Sequence, residues 1–335
     1  MARSKTMQAF LAQGEAWRQA LHSTERFGQE DLARSLLIGS GTSYYLAQVV
    51  SWIGRDLGLD ISAAPSCEVM LYPDHYLRDA SQLIIVSRSA RTMEALRAGQ
   101  EARTRGVPTT LVTCNGDSTD MVYRVADRVA LSPQGDDGGA VMLRSFTSML
   151  MILLGVLQPG KREAMQRAAL EVDAFAVTAL DYFRQVIGNA PPRRVVFLGG
   201  GALYAVAREA ALKVTEMAVT VAESFHPLEY RHGPIATLDP GDAVVMFVQS
   251  EVWQDENPLL EVASKFGAHV IAVSTSEIMG TSCLKLPESL ASAAFPAVAT
   301  VASQALAIAI AEAKDIDCDR PRHLRSDAGM PEETK

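Results

Sequence analysis

The chain has 335 residues, of which 48% are apolar and 21% charged, with a formal net charge of −8. That length exceeds one small core and suits two domains or one large α/β unit. No basic block interleaved with aromatics occurs, which argues against a nucleic-acid partner. The four cysteines, Cys67, Cys114, Cys283 and Cys318, are far apart and form no CxxC pair. They read as reduced, mostly buried thiols of a cytosolic protein. The N-terminal stretch MARSKTMQAFLAQGEAWRQAL lacks the apolar centre of a signal peptide, so a cytoplasmic location is expected. The nearly uncharged segment from Ala291 to Ala311 is rich in Ala, Ser and Thr and contains Pro296 and Gln304. A buried core helix fits it better than a membrane span, and no membrane partner is expected.

In chain order, a helix is expected over residues 6–22. Short apolar runs follow as strands: SLLIGS, QLIIVS, PTTLVTC and DRVALS. Between them lie helical patterns near residues 43–57, 91–105 and 118–125. Helices at about 141–158 and 161–188 come next. The second half repeats the plan with RRVVFLGGG, AVVMFVQS, HVIAVST and CLKLP. Alternating strands and helices predict a parallel sheet with crossover helices, and the continuous apolar runs predict coverage of both sheet faces. Two landmarks share one offset. Gly39-Ser40-Gly41-x-x-Tyr44 matches Gly199-Gly200-Gly201-x-x-Tyr204, where 199 − 39 is 160, and the strand at 110–114 falls opposite 270–274. An internal duplication of a doubly wound, flavodoxin-like unit is therefore expected.

Three constellations carry chemistry. In LLIGSGTSYYLA a strand runs into Gly41, Thr42 and Ser43 and then a helix, where backbone N–H groups attract anions. It lacks the third glycine of a dinucleotide fingerprint and the lysine of a P-loop; the plain alternative is a tight turn capped by Thr42 or Ser43. In VSRSARTMEAL the second such turn holds Ser87, Arg88, Ser89 and Thr92. Both turns are expected on the carboxyl-terminal edge of one sheet, where ligands of open α/β sheets bind. One hydroxyl suffices to cap a helix, as Ser89 could; three, beside a second such turn, favour phosphate. In REAALKVTEM, Glu209, Lys213 and Glu216 recur at i, i+4 and i+7 on one helix face. A solvated ion-paired face is the usual reading, but the apolar neighbours point to a partly buried pair with tunable pKa values. His232 follows in the turn RHGP, whose Gly-Pro makes a rigid corner.

Together GSGTSY, SRSxxT, VMLRSFTSML, EAALKVTE, the HGP corner and the tail DRPRHL resemble the sugar isomerase (SIS) domain family over nearly the whole chain. They most resemble its amino-sugar-6-phosphate deaminases/isomerases, relatives of the isomerase half of glucosamine-6-phosphate synthase. The resemblance implies two tandem three-layer αβα SIS domains, at 28–158 and 191–314. An N-terminal helix (1–27), a connecting helix (159–190) and a tail (315–335) complete the chain. It further implies a sugar 6-phosphate ligand, with Ser87, Arg88, Ser89 and Thr92 on the phosphate and Gly41, Thr42 and Ser43 lining the sugar site. Glu216 matches the family's proton-transferring glutamate and Lys213 its neighbouring lysine. His232 matches a histidine linked to ring opening, contributed there by the partner subunit of a homodimer. No metal and no cofactor are implied.

Three positions depart from the pattern. Ala90 replaces the glycine usual after SRS or SQS, Leu143 stands where threonine is common, and the tail HLSK of relatives becomes His323-Leu324-Arg325-Ser326. Arginine stays protonated and cannot form the Schiff base open to a tail lysine. Two readings follow. The first is an isomerase of an amino or N-substituted sugar 6-phosphate, with deamination to a ketose 6-phosphate; the second is a phosphosugar-binding sensor or regulator without turnover. Retained Lys213, Glu216 and His232 favour the first and the altered tail the second. A nucleotide-binding dehydrogenase would need the missing third glycine and an acidic ribose ligand.

Overall fold

The computed structural model describes residues 4–24, 27–29, 32–249, 252–278 and 280–324. They divide into two compact units. One comprises the described residues up to Gln166 with His323 and Leu324; the other is Arg167–Arg322.

The first unit opens with α1 (Lys5–Phe10) and α2 (Gln13–Ser23). The single helix expected over 6–22 is thus broken at Leu11–Ala12, where the Gln13 amide donates to the Phe10 carbonyl. Next come β1 (Ser35–Gly39), α3 (Thr42–Asp56), β2 (Ile61–Pro65), α4 (Ser66–Leu71), α5 (Pro73–Leu77), β3 (Gln82–Val86), α6 (Met93–Thr104), β4 (Thr109–Thr113), β5 (Arg128–Leu131) and α7 (Arg144–Leu157). The helix expected at 118–125 is only a 3₁₀ turn over Met121–Val125. Asp117 and Asn115 side chains bind nearby backbone N–H groups there and divert the chain from an α-helix. The five strands pair in parallel in the order β2-β1-β3-β4-β5. β1 and β4 are buried at every position, as strands covered on both faces should be. Each Leu or Ile so buried contributes about 1.5–3 kcal/mol relative to exposure. Leu36, Ile38, Leu83, Ile85 and Leu111 form the core with Ala95, Ala98 and Ala102 of α6.

After α8 (Arg162–Ile187), the second unit runs β6 (Arg194–Leu198), α9 (Ala202–Ala218), β7 (Val221–Phe225), α10 (Pro227–Tyr230), β8 (Ala243–Phe247), α11 (Trp253–Lys265), β9 (His269–Ser274), β10 (Ser282–Lys285) and α12 (Glu288–Ala313). Its parallel order is β10-β9-β8-β6-β7, which read from the β7 edge repeats the order of the first sheet. The starts of α3 and α9 (202 − 42) and of α6 and α11 (253 − 93) are each 160 residues apart. This is the doubly wound 2-1-3-4-5 order, in which chain direction across the sheet reverses between the first and third strands. α12 is long and apolar enough to cross a membrane by length and composition, but 89% of its most apolar window is buried. It packs on α9 as a core helix. Of the free thiols only Cys114 is buried; Cys283 and Cys318 are partly covered and Cys67 is exposed, so the expectation of mostly buried thiols was too broad.

Candidate functional site

The anion-type turns of the first unit lie on neighbouring strands. β1 and β3 pair directly, with Ile38 opposite Ile85, and their carboxyl ends flank the point where strand order reverses. Gly41 has φ 54° and ψ −123°, a conformation reserved for glycine, and opens α3 without a side-chain cap. A Cβ on Gly39 would come within 2.4 Å of the Ser43 backbone, so this turn admits no side chain there. Thr42 and Ser43 are buried in the first turn of α3. Neither caps the helix, so the capping alternative fails at this turn.

At the second turn, Ser87 is buried and its Oγ lies 3.4 Å from Thr92 Oγ1. Ser89 does not cap α6; its Oγ accepts from the Arg91 N–H at 3.2 Å, leaving its own hydrogen to donate elsewhere. Thr92 occupies the cap position of α6 without a side-chain bond to it. The hydroxyls therefore do not serve the helix end, whose N–H groups favour an anion. Arg91 Nε donates to Asp120 Oδ1 at 2.8 Å and holds that carboxyl below the usual carboxylate range. Arg88 Nη1 donates to the Gly139 carbonyl at 2.6 Å. Ala90, where glycine was expected, is fully buried at φ 54°, a left-handed conformation that glycine adopts freely and alanine does not. In the second unit the positions 160 residues on from Ser87, Arg88, Ser89 and Thr92 are Phe247, Val248, Gln249 and Val252. None of these four positions carries a hydroxyl.

Sequence reasoning missed Asp137. Its side chain is 2% exposed, its Oδ1 accepts from the Leu143 and Ser145 N–H groups at 3.1 and 3.3 Å, and its Oδ2 accepts from Ser145 Oγ. Burial pushes its carboxyl up, against the opposing pull of Ser145 and Arg88. Leu143 stands at the start of α7 and has no side-chain acceptor; Asp137 supplies one from six residues upstream. The available signal was an acidic residue shortly before a helical run.

In the second unit, α9 brings Glu209, Lys213 and Glu216 onto one face, and that face is buried. Lys213 is 1% and Glu209 0% exposed, while Glu216 retains 19%. Lys213 Nζ lies 3.5 Å from Glu209 Oε1 and donates to Glu216 Oε2. Burial opposes the ammonium charge, but the two carboxylates outweigh it and raise the lysine pKa. The solvated-face alternative is thereby excluded. The far end of α9 is fixed: Val219 is held at φ 45°, an outlier for a β-branched residue, and Lys314 Nζ donates to the Ala218 and Val219 carbonyls and to Thr220 Oγ1. His232 is exposed in the turn after α10, its N–H bonded to the Glu229 carbonyl. Among the described residues, no hydrogen bond or ion pair joins its side chain to Lys213 or Glu216. Arg325 and Ser326 lie outside the described residues.

The first unit thus carries a hydroxyl turn at its switch point, and the second, of the same strand order, carries a buried ionic triad. Residues 190–311, within the second unit, match the SIS domain. The chain is 30% identical over 253 residues to D-galactosamine-6-phosphate deaminase AgaS of Escherichia coli, covering 70% of this chain and 65% of that one. It is 32% identical over 322 residues to the glutamine–fructose-6-phosphate aminotransferase (isomerizing) of Tropheryma whipplei, covering 87% of this chain and 51% of that one. The chain thus spans less than two thirds of the first relative and about half of the second. Among solved structures, glucosamine-6-phosphate deaminase from Thermotoga maritima matches with a TM-score of 0.80 at 25% identity, covering 96% of this chain and 99% of that one. Tagatose-6-phosphate ketose/aldose isomerase from Escherichia coli matches at 0.78 and 25%, covering 91% and 92%.

Proposed function

We propose that the protein is a cytoplasmic, homodimeric enzyme of two tandem SIS domains. It isomerises an amino or N-substituted sugar 6-phosphate between aldose and ketose forms, with release of the amine to give a ketose 6-phosphate. The observation that carries the reading is the buried triad on α9. A protein that only binds sugar has no need of an ammonium at 1% exposure between two carboxylates, one of them still open to solvent. Taking two charges out of water costs several kcal/mol each, a burden that chemistry justifies better than stability.

In this reading Ser87, Arg88, Ser89 and Thr92, with the N–H groups of α6, hold the phosphate. Gly41, Thr42 and Ser43 line the sugar. Glu216 takes the proton from one carbon of the opened sugar and returns it to its neighbour. Lys213 stabilises the oxyanion that develops between the two steps. Exposed His232 is available to assist ring opening in the partner subunit. The names of the relatives support the substrate class: an amino-sugar-phosphate deaminase and an aldose–ketose isomerase are both among them. The reading without turnover is favoured by one feature, the absence of lysine between Asp319 and Ser326. Release of ammonia and ketose 6-phosphate from a panel of 2-amino-hexose 6-phosphates separates the two. Turnover supports the enzyme, and saturable binding with no product across the panel supports the sensor.

A further inference from the structure

Arg88 is anchored from a loop 49 residues away in sequence. Its Nη1 donates to the Gly139 carbonyl at 2.6 Å and faces Asp137 Oδ2 at 3.9 Å. The same carboxylate binds the first N–H groups of α7 through Leu143 and Ser145. The Arg88 backbone is tied independently to β4, its carbonyl accepting from Thr113 Oγ1 at 3.0 Å and the Cys114 N–H at 3.3 Å. Main chain and guanidinium are thus fixed from two directions. The Arg88 side chain is 11% exposed, so only a small part of it can meet a ligand, and the direction of that part is set by what holds the rest.

We propose that Asp137 is the positioning residue of the phosphate turn, orienting Arg88 towards the sugar phosphate from behind. The inference rests on the reading that residues 87–92 bind phosphate. A charged group serves here because a carboxylate can accept on every side: backbone N–H groups, a hydroxyl and a guanidinium surround it. An asparagine can keep the two bonds to Leu143 and Ser145 through its oxygen. Its amide nitrogen then falls where Oδ2 was, a donor facing the donors of Arg88. The helix stays capped while Arg88 loses the carboxylate charge 3.9 Å away and is pushed off line. Ser145 Oγ can turn to accept from the new amide, so the disturbance centres on Arg88.

The test is calorimetric binding of glucitol 6-phosphate, which has no carbonyl to turn over, with free glucitol as control. Wild type, Asp137→Asn, Arg88→Met and the double variant are compared, each with its melting temperature. The expected result is a loss of affinity of at least about tenfold for Asp137→Asn in the wild-type background, and of less than about twofold when Arg88 is already methionine. An equal loss in both backgrounds, or unchanged affinity with only a lowered melting temperature, overturns the inference and leaves Asp137 as a helix cap. Wild-type protein that does not prefer the phosphorylated ligand over glucitol sinks the phosphate reading itself, and the inference with it. Where the asparagine chain is not recovered folded, Asp137→Ser, which keeps a capping acceptor without the charge, is read by the same two comparisons.

Discussion

Replacing Lys213 with methionine tests the triad most severely. Methionine fills nearly the same volume, so the change removes charge rather than packing. At 3.5 Å and an effective dielectric constant of about 20, the attraction between Lys213 and Glu209 is about 5 kcal/mol, comparable with the several kcal/mol of desolvation that it offsets. The net value of the pair is small, but breaking it is costly, since Glu209 at 0% exposure loses the ammonium 3.5 Å away while staying out of water. The expected destabilisation at pH 8 is about 3–5 kcal/mol, the range for one partner removed from a buried pair. Its pH dependence follows from linkage. In wild type the lysine pKa is raised, so its contribution is fully present below the unfolded value of about 10.4 and is lost only as pH rises through the folded value. Methionine cannot carry this charge, so the variant lacks the lysine's contribution at every pH below that folded value. Urea unfolding followed by circular dichroism should therefore show a wild-type–variant gap that persists from pH 5 to pH 8 and narrows only as pH rises through the folded lysine pKa. A gap below about 1 kcal/mol across pH 5–8 would refute a buried ionic triad.

Ser89→Ala should weaken sugar-phosphate binding by about 1–3 kcal/mol, the range for a hydrogen bond to a charged group, and leave the free sugar unaffected in calorimetry. Ala90→Gly opposes three effects: relief of a left-handed alanine, about 1–2 kcal/mol; greater unfolded-state freedom, about 0.4–1 kcal/mol; and loss of a buried methyl, about 0.8 kcal/mol. They nearly cancel, so urea unfolding should place the variant within about 1 kcal/mol of wild type, whereas a loss above about 1 kcal/mol would mean that the left-handed conformation carries no strain. The protein should sediment as a dimer at micromolar concentration, and mixing Glu216→Gln chains with His232→Ala chains should restore part of the lost activity. No restoration, or a monomer, would place His232 outside a shared site.

What the sequence revealed depended on burial. The central strands β1, β3, β4, β6, β8 and β9 are continuous apolar runs because both faces are covered, and each was legible. The two strands that escaped, ISAAP (β2) and VAESF (β7), are sheet edges. With one neighbour each and exposed positions along them, they carry Ala, Ser, Glu and Pro where an inner strand carries Val, Ile and Leu. The 160-residue offset was legible because Gly41 and Gly201 must each adopt a positive φ at the same point of the fold, 54° and 57°. The triad was legible from helix spacing, but whether its face was wet or dry was not, since that depends on packing by distant elements. Asp137 was illegible as a partner of Arg88 for the same reason: sheet topology brings the two together and no local pattern records it.

The central claim is that Glu216 moves a proton at a sugar carbon. Proton exchange at C2 of a bound hexose 6-phosphate in heavy water, followed by NMR, tests it directly. Wild type should exchange C2 hydrogen for deuterium. Glu216→Gln, which keeps the shape and a hydrogen-bonding oxygen but removes the base, should bind the sugar with similar affinity and abolish exchange. The contrary result is a glutamine variant with a lowered melting temperature that still exchanges at the wild-type rate per folded molecule, in which case Glu216 only balances Lys213 inside α9.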